Sequence, residues 1–136
     1  MSTSVRRIEY FHTTVQDQPG ESYKFLSLLA ELGINLLAFS AVPIGPNLTQ
    51  LTIFPDDAAK LKSEAKKAGL DLGGPNLALM ARGEDQLGVL AGLFEKLYHA
   101  GVNVYASNAV TDGNKFSFIL YVRPEQYETA AKALGV

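Results

Sequence analysis

The sequence predicts an α+β fold assembled from two similar units, each an antiparallel sheet with helices packed on one face. Three observations predict it. Residues 17–35, DQPGESYKFLSLLAELGIN, return 68 positions later as residues 85–103, DQLGVLAGLFEKLYHAGVN, so Asp-Gln-x-Gly and Gly-x-Asn recur at one separation. Runs rich in β-branched and aromatic residues alternate with helical-period runs in the same order in both halves. The chain has 136 residues, 47% of them hydrophobic, which suits a packed core shared by two units. Each unit would be roughly 70 residues, a size that is marginal alone.

In chain order, residues 8–15 (IEYFHTTV) suit a strand, and Pro19-Gly20 marks the turn after it. Asp17 stands just ahead of a helical pattern, where a capping carboxylate is favourable. Ser22, Phe25, Leu26 and Leu29 then follow the spacing of one helical face, and Gly33 ends the helix. Residues 34–42 form a strand with apolar residues of both parities, Leu36 and Ala38 on one side, Leu37 and Phe39 on the other. Neither side reads as solvated, so something must cover the second face. A Gly- and Pro-dense loop leads to a strand over 48–54. Pro55, Asp56 and Asp57 open a helix that carries lysines towards its end and closes at Gly69.

Residues 73–75, Gly-Gly-Pro, have the composition of a linker and set the expected boundary, with one unit over 1–75 and the other over 76–136. The second half repeats the order: a strand at 77–82, a helical stripe at Leu90, Leu93, Phe94 and Leu97, and a strand at 102–110. The tight-turn pair Asp112-Gly113 leads into a strand at 116–122, and a helix follows over 124–134. Each unit thus reads β-α-β-β-α, a split βαβ arrangement of the ferredoxin-like type. The second unit is expected to lack the last strand of the full βαββαβ order. A sheet edge left open in this way is normally covered or paired.

Net charge is −2 with a pI near 5.6, which gives no pull towards nucleic acid or an anionic membrane surface. There is no cysteine, and hence no disulfide, thiol nucleophile or thiolate metal site. No apolar run reaches the ~20 residues of a membrane helix, and residues 1–8 do not read as a signal peptide. The expected location is the cytoplasm. His12 and His99 stand apart without ligand-spaced partners, so neither metal binding nor a catalytic residue is expected.

A strand, Asp-x-Pro-Gly, an amphipathic helix and Gly-Ile-Asn opening the next strand resemble the ACT domain, a small-molecule-binding regulatory fold. The resemblance covers the chain as a tandem pair, about residues 6–73 and 76–136. It implies a non-catalytic regulatory or sensor protein, with no cofactor, that binds an amino acid or related carboxylate at an interface between such units. A regulated enzyme is the partner it implies, and a homodimer is expected from the two-sided apolar strands and the open sheet edge. The candidate ligand-binding positions are Asp17, Gln18, Pro19, Gly20, Glu21 and Asn35, and in the second copy Asp85, Gln86, Leu87, Gly88, Val89 and Asn103.

The chemistry of these positions is intelligible. A helix N-terminus at Gly20 or Gly88 offers backbone N–H groups and a positive dipole end to a carboxylate. The glycines permit close approach, Asp17 and Asp85 accept from an ammonium, and the asparagines both donate and accept. The two copies differ: Leu87 replaces the motif's proline, and Glu21 sets a negative charge where the second copy has Val89. The pattern also has a purely structural reading, with Asp as helix cap, Gly chosen for its dihedrals and Asn tied to nearby backbone.

Two other functional classes are open. A protein-interaction or dimerisation module would use the same fold without a ligand, through the two-sided apolar strands at Leu37, Phe39 and Tyr105. The run FSFILY at 116–121 approaches the aromatic pattern of the RNA-recognition RRM. Lys115 stands where that pattern wants Gly, and the chain is acidic. Packing on the sheet's second face, the one away from the helices, is the expected role of those aromatics.

Overall fold

A computed structural model describes residues 3–136. The elements are β1 (Thr3–Gln16), α1 (Glu21–Glu31), β2 (Leu36–Pro43), β3 (Leu48–Pro55), α2 (Ala58–Ala68), β4 (Gly73–Glu84), α3 (Val89–His99), β5 (Val104–Asp112) and β6 (Lys115–Val122), followed by a single 3-10 turn (Pro124–Gln126) and α4 (Tyr127–Ala133). The α+β order read from the sequence is the one observed, and the pairings of β3 with β1 and β2, and of β6 with β4 and β5, are antiparallel.

The chain divides into two compact units, and the division is not contiguous in sequence. An inserted unit comprises Glu9–Asn76, and a split unit joins the residues up to Ile8 to Leu77–Val136. Residues 3–8 therefore belong with the second repeat, whereas the expected boundary at 75/76 kept them with the first. Residues 73–75 are no linker either, because they begin β4. Gly and Pro suggest a loop when no neighbour is known. Here a Cβ on Gly74 would come within 2.9 Å of the Tyr10 carbonyl oxygen and 3.1 Å of the Phe11 ring, so the close strand approach itself selects glycine.

This arrangement supplies the strand the second repeat lacks. No strand follows α4, and the start of β1 takes that place beside β4, giving the split unit the order β1 start, β4, β6, β5. In the inserted unit the start of β4 plays the same part beside β1, next to β3 and β2. β1 is accordingly longer than residues 8–15. Its extension carries Val5, which packs against the split unit's core.

Each unit has its own core between helices and sheet. In the inserted unit Phe11 and Ile53, paired across β1 and β3, meet Leu29, Ile34, Leu61 and Ala65. In the split unit Phe116, Phe118, Leu120 and Val122 alternate along β6 towards Leu93, Leu97, Tyr127, Ala130 and Ala131, so Phe116 and Phe118 pack under the helices and not on the second face expected of them. The buried Tyr127 hydroxyl donates to the Ala78 carbonyl at 3.0 Å, so this large residue buries its ring without stranding its polar end. On the opposite face Met80 and its partner Ile119 are also buried, whereas β5 is exposed from Tyr105 to Asp112. Burial of the second face thus holds for the central strands and fails at that edge.

The helix ends show why the repeat has its spacing. After α1, Ile34 N–H donates to Leu29 O at 2.9 Å, and after α3, Val102 N–H donates to Leu97 O at 2.9 Å. Gly33 and Gly101 take the intervening positive φ, 77° and 73°. Gly-x-Asn is therefore a helix stop that aims the next strand.

Candidate functional site

The two Asp-Gln-x-Gly turns are built alike. Gly20 (φ 89°, ψ −12°) and Gly88 (φ 83°, ψ 7°) are the N-cap residues of α1 and α3, in the left-handed region that a Cβ disfavours. Glu21 N–H donates to Gln18 O at 3.3 Å, and Val89 N–H to Gln86 O at 3.1 Å. Lys24 N–H donates to Gly20 O and Gly92 N–H to Gly88 O, both at 3.0 Å. Neither helix has a side-chain cap, so the first-turn N–H groups meet no side-chain acceptor from the cap residue.

This corrects the capping role expected of Asp17. It lies three residues ahead of the cap, exposed, and its own N–H donates to Asn47 O at 2.9 Å. Asp85 repeats the bond to Asn114 O at 2.7 Å. Both turns are therefore strapped by an asparagine carbonyl from the following hairpin, Asn47 with φ 61° and Asn114 in the two-residue turn after Asp112. The sequence reading missed both straps. They sit 67 positions apart rather than 68, so the repeat register does not align them.

Asn35 and Asn103 are exposed and close the far ends of α1 and α3. Eleven helical residues separate each from its turn, a rise of about 16 Å at 1.5 Å per residue. The structure thus does not bring Asn35 to the Asp17 turn within the inserted unit, nor Asn103 to the Asp85 turn within the split unit. Each asparagine serves local structure through its backbone. Asn35 O accepts from Asp56 N–H at 2.9 Å, and Asn103 N–H donates to the Gln126 side-chain oxygen at 3.2 Å. Gln126 Nε2 also donates to Gly101 O at 3.0 Å, and Lys60 Nζ covers the equivalent Gly33 O at 2.8 Å.

The turns differ in charge. Glu21 sits in the first turn of α1 and pairs with Lys24 at 3.3 Å, while α3 has no acid in its first turn. Asp17, Gln18, Pro19 and Gly20 are exposed, as are Asp85, Gln86, Leu87 and Gly88. Gln86, Leu87, Gly88 and Val89 line a cleft of about 550 Å³ in the split unit, together with Thr3, Val5, Gly92, Lys96, His99 and Leu134. Asp85 and Asn103 are not in its wall. His99 pairs with Glu95 at 3.5 Å one turn away, and His12 lies against Gly73. Among the described residues no polar or charged residue is buried, and no helix is long and apolar enough to cross a membrane.

Two ferredoxin-like units, each an antiparallel four-stranded sheet with two helices, are the fold class that this topology defines. No protein-family model matches the chain, and no curated protein matches it. Solved structures share the fold. Protein BT0572 from Bacteroides thetaiotaomicron superposes with a TM-score of 0.80 at 15% identity, over 96% of this chain and 88% of that one. The ligand-free regulatory subunit of aspartate kinase from Thermus thermophilus gives 0.64 at 21% identity, over 97% and 93%. The corresponding regulatory subunit from Thermus flavus gives 0.62 at 19%, over 98% and 95%.

Proposed function

We propose that the protein is a non-catalytic regulatory or sensor protein that binds a small amino acid or related carboxylate at its Asp-Gln-x-Gly turns. The observation that carries the reading is the matched construction of the two turns, each a glycine-capped helix start with no side-chain acceptor on its N–H groups. Such a terminus favours a carboxylate, and Asp17 or Asp85 stands within the same turn for an ammonium. Because Asn35 and Asn103 lie at the far helix ends, a small ligand at a turn does not reach the asparagine of the same unit, and a second copy of the chain is the proposed source of further contacts. A homodimer provides that copy, and an enzyme controlled by it is the partner class, as the fold shared with aspartate kinase regulatory subunits suggests.

Calorimetry and thermal shift against the common amino acids test the reading. Saturable binding that is weakened by Asp85→Ala or Asp17→Ala without loss of fold supports it, and no binding by well-folded protein refutes it. The second reading is an interaction module without a ligand. It is favoured by the apolar residues exposed on the edge strands, Phe39 and Val42 on β2 and Tyr105 and Val110 on β5. Light scattering across a concentration series separates the cases: both readings expect self-association, but only the first expects it to respond to a small molecule.

A further inference from the structure

Another cluster of donors lies in the split unit, on the sheet face turned away from its helices. Arg82 on β4 is directly paired with Ser117 on β6, and Glu84 with Lys115. Ala81, Phe116 and Phe118 point into the helix-covered core, so strand alternation places Arg82 and Ser117 on the opposite face. Ser4 on β1, next to the core-facing Val5, completes the row. Ser4, Arg82, Ser117 and Lys115, with Gly83 and Phe116, line a recess of about 280 Å³.

Further along this face Met80 and Ile119 are buried and apolar, so the change to arginine and serine is abrupt. Among the described residues Arg82 makes no ion pair, and neither serine hydroxyl has a hydrogen bond. No carboxylate lines the recess. The cluster therefore offers a fork of guanidinium donors, two hydroxyl donors and an ammonium, with no anionic acceptor among them. Two acids oppose it from outside. Glu84 lies 4.0 Å from the Lys115 ammonium, and Asp112 is opposite Lys115 in the β5–β6 ladder. Both stand beside Lys115, so Arg82 is the cation of the recess that has no carboxylate partner.

We propose that this recess binds a small oxyanion, the carboxylate or phosphate group of a metabolite. Arg82 acts as the bidentate donor, Ser4 and Ser117 give neutral hydrogen bonds, and Lys115 supplies the second positive charge. The recess adjoins the Asp85 turn but shares no lining residue with it, and its chemistry does not depend on either turn binding anything.

The test is an amide-resolved NMR titration of the full chain with inorganic phosphate, and in parallel with malonate, at ionic strength held constant with sodium chloride. The expected result is saturable shifts confined to Ser4 and residues 82–83 and 115–117. Removing a charge-assisted bidentate donor should weaken binding roughly tenfold in Arg82→Gln, with a smaller loss in Ser117→Ala. The anion that saturates at lower concentration identifies the group as phosphate or carboxylate, and equal saturation by both supports the shared chemistry. Shifts that are absent, that spread evenly over the surface, or that keep the same midpoint in both Arg82→Gln and Lys115→Gln overturn the proposal.

Discussion

Arg7 and Glu128 form a two-bond ion pair, Arg7 Nη1 to Glu128 Oε2 at 2.7 Å and Nη2 to Oε1 at 2.9 Å, joining residues 121 apart in sequence. The pair fastens the start of β1 to α4, and Arg7 also lies over the Tyr127 ring at 5.6 Å. The hydrogen bond from Arg7 holds the Glu128 carboxyl below the usual carboxylate range, and the bond to Glu128 raises Arg7. A lowered folded pKa means that stability is present above the unfolded pKa of Glu128 and lost as pH falls through the folded value. Glu128→Gln is therefore expected to lower Tm modestly at neutral pH, as suits an exposed pair that salt screens. The difference from wild type should vanish in acid below the carboxylate range. Hydrogen exchange should quicken first at residues 4–8, and a Tm difference independent of pH would contradict the assignment.

Asp17 and Asp57 precede helices in similar sequence settings but act differently. Asp57 is the N-cap of α2 and accepts from Lys60 N–H at 3.0 Å, whereas Asp17 caps nothing. Asp57→Ala should cost about 1 kcal/mol, while Asp17→Ala should stay within about 0.5 kcal/mol of wild type. Urea denaturation of the two variants measures the contrast. Equal losses would restore the capping role to Asp17.

Lys60 and Gln126 reach the same place in the two units, covering the carbonyls of Gly33 and Gly101. Gln126 also accepts from Asn103 N–H, so one side chain satisfies two backbone groups of the helix stop. Gln126→Ala should cost about 1–2 kcal/mol and raise exchange at the Asn103 amide. Lys60→Met should cost less, because only one exposed carbonyl is uncovered and water can replace the amine. A larger loss at Lys60 would show that the two anchors are not equivalent.

The repeat was legible because helix-stop glycines and turn glycines are local requirements, visible at Gly20, Gly33, Gly88 and Gly101 without any partner. What stayed hidden depends on distant neighbours. Residues 3–7 have no strand signature beyond Val5, and they become a strand because β4 lies beside them. Gly74 looks like a breaker until Tyr10 stands 2.9 Å from where its Cβ would be. Asn47 and Asn114 strap the turns through backbone carbonyls, which leave no mark on residue type beyond tolerance of a tight turn. The repeat and the family resemblance group Asn35 with Asp17, although the eleven-residue helix between them holds the two apart.

The charge difference between the turns gives a direct test of the proposed ligand chemistry. Glu21 lies at the positive end of α1, where it competes with an incoming carboxylate, and Lys24 at 3.3 Å offsets it only in part. The α3 terminus has Val89 at the matching position and no acid. The second turn should therefore bind a carboxylate ligand more tightly than the first. Glu21→Val should strengthen binding at the first turn several-fold, consistent with about 0.3–1 kcal/mol for one charge at a helix end. Val89→Glu should weaken the second turn by a similar factor. Calorimetric titration of the two variants and wild type reads both changes, with the gap narrowing at high salt because the charge is near solvent. Unchanged affinities in both variants, in protein that still binds, would place the ligand carboxylate away from the helix termini.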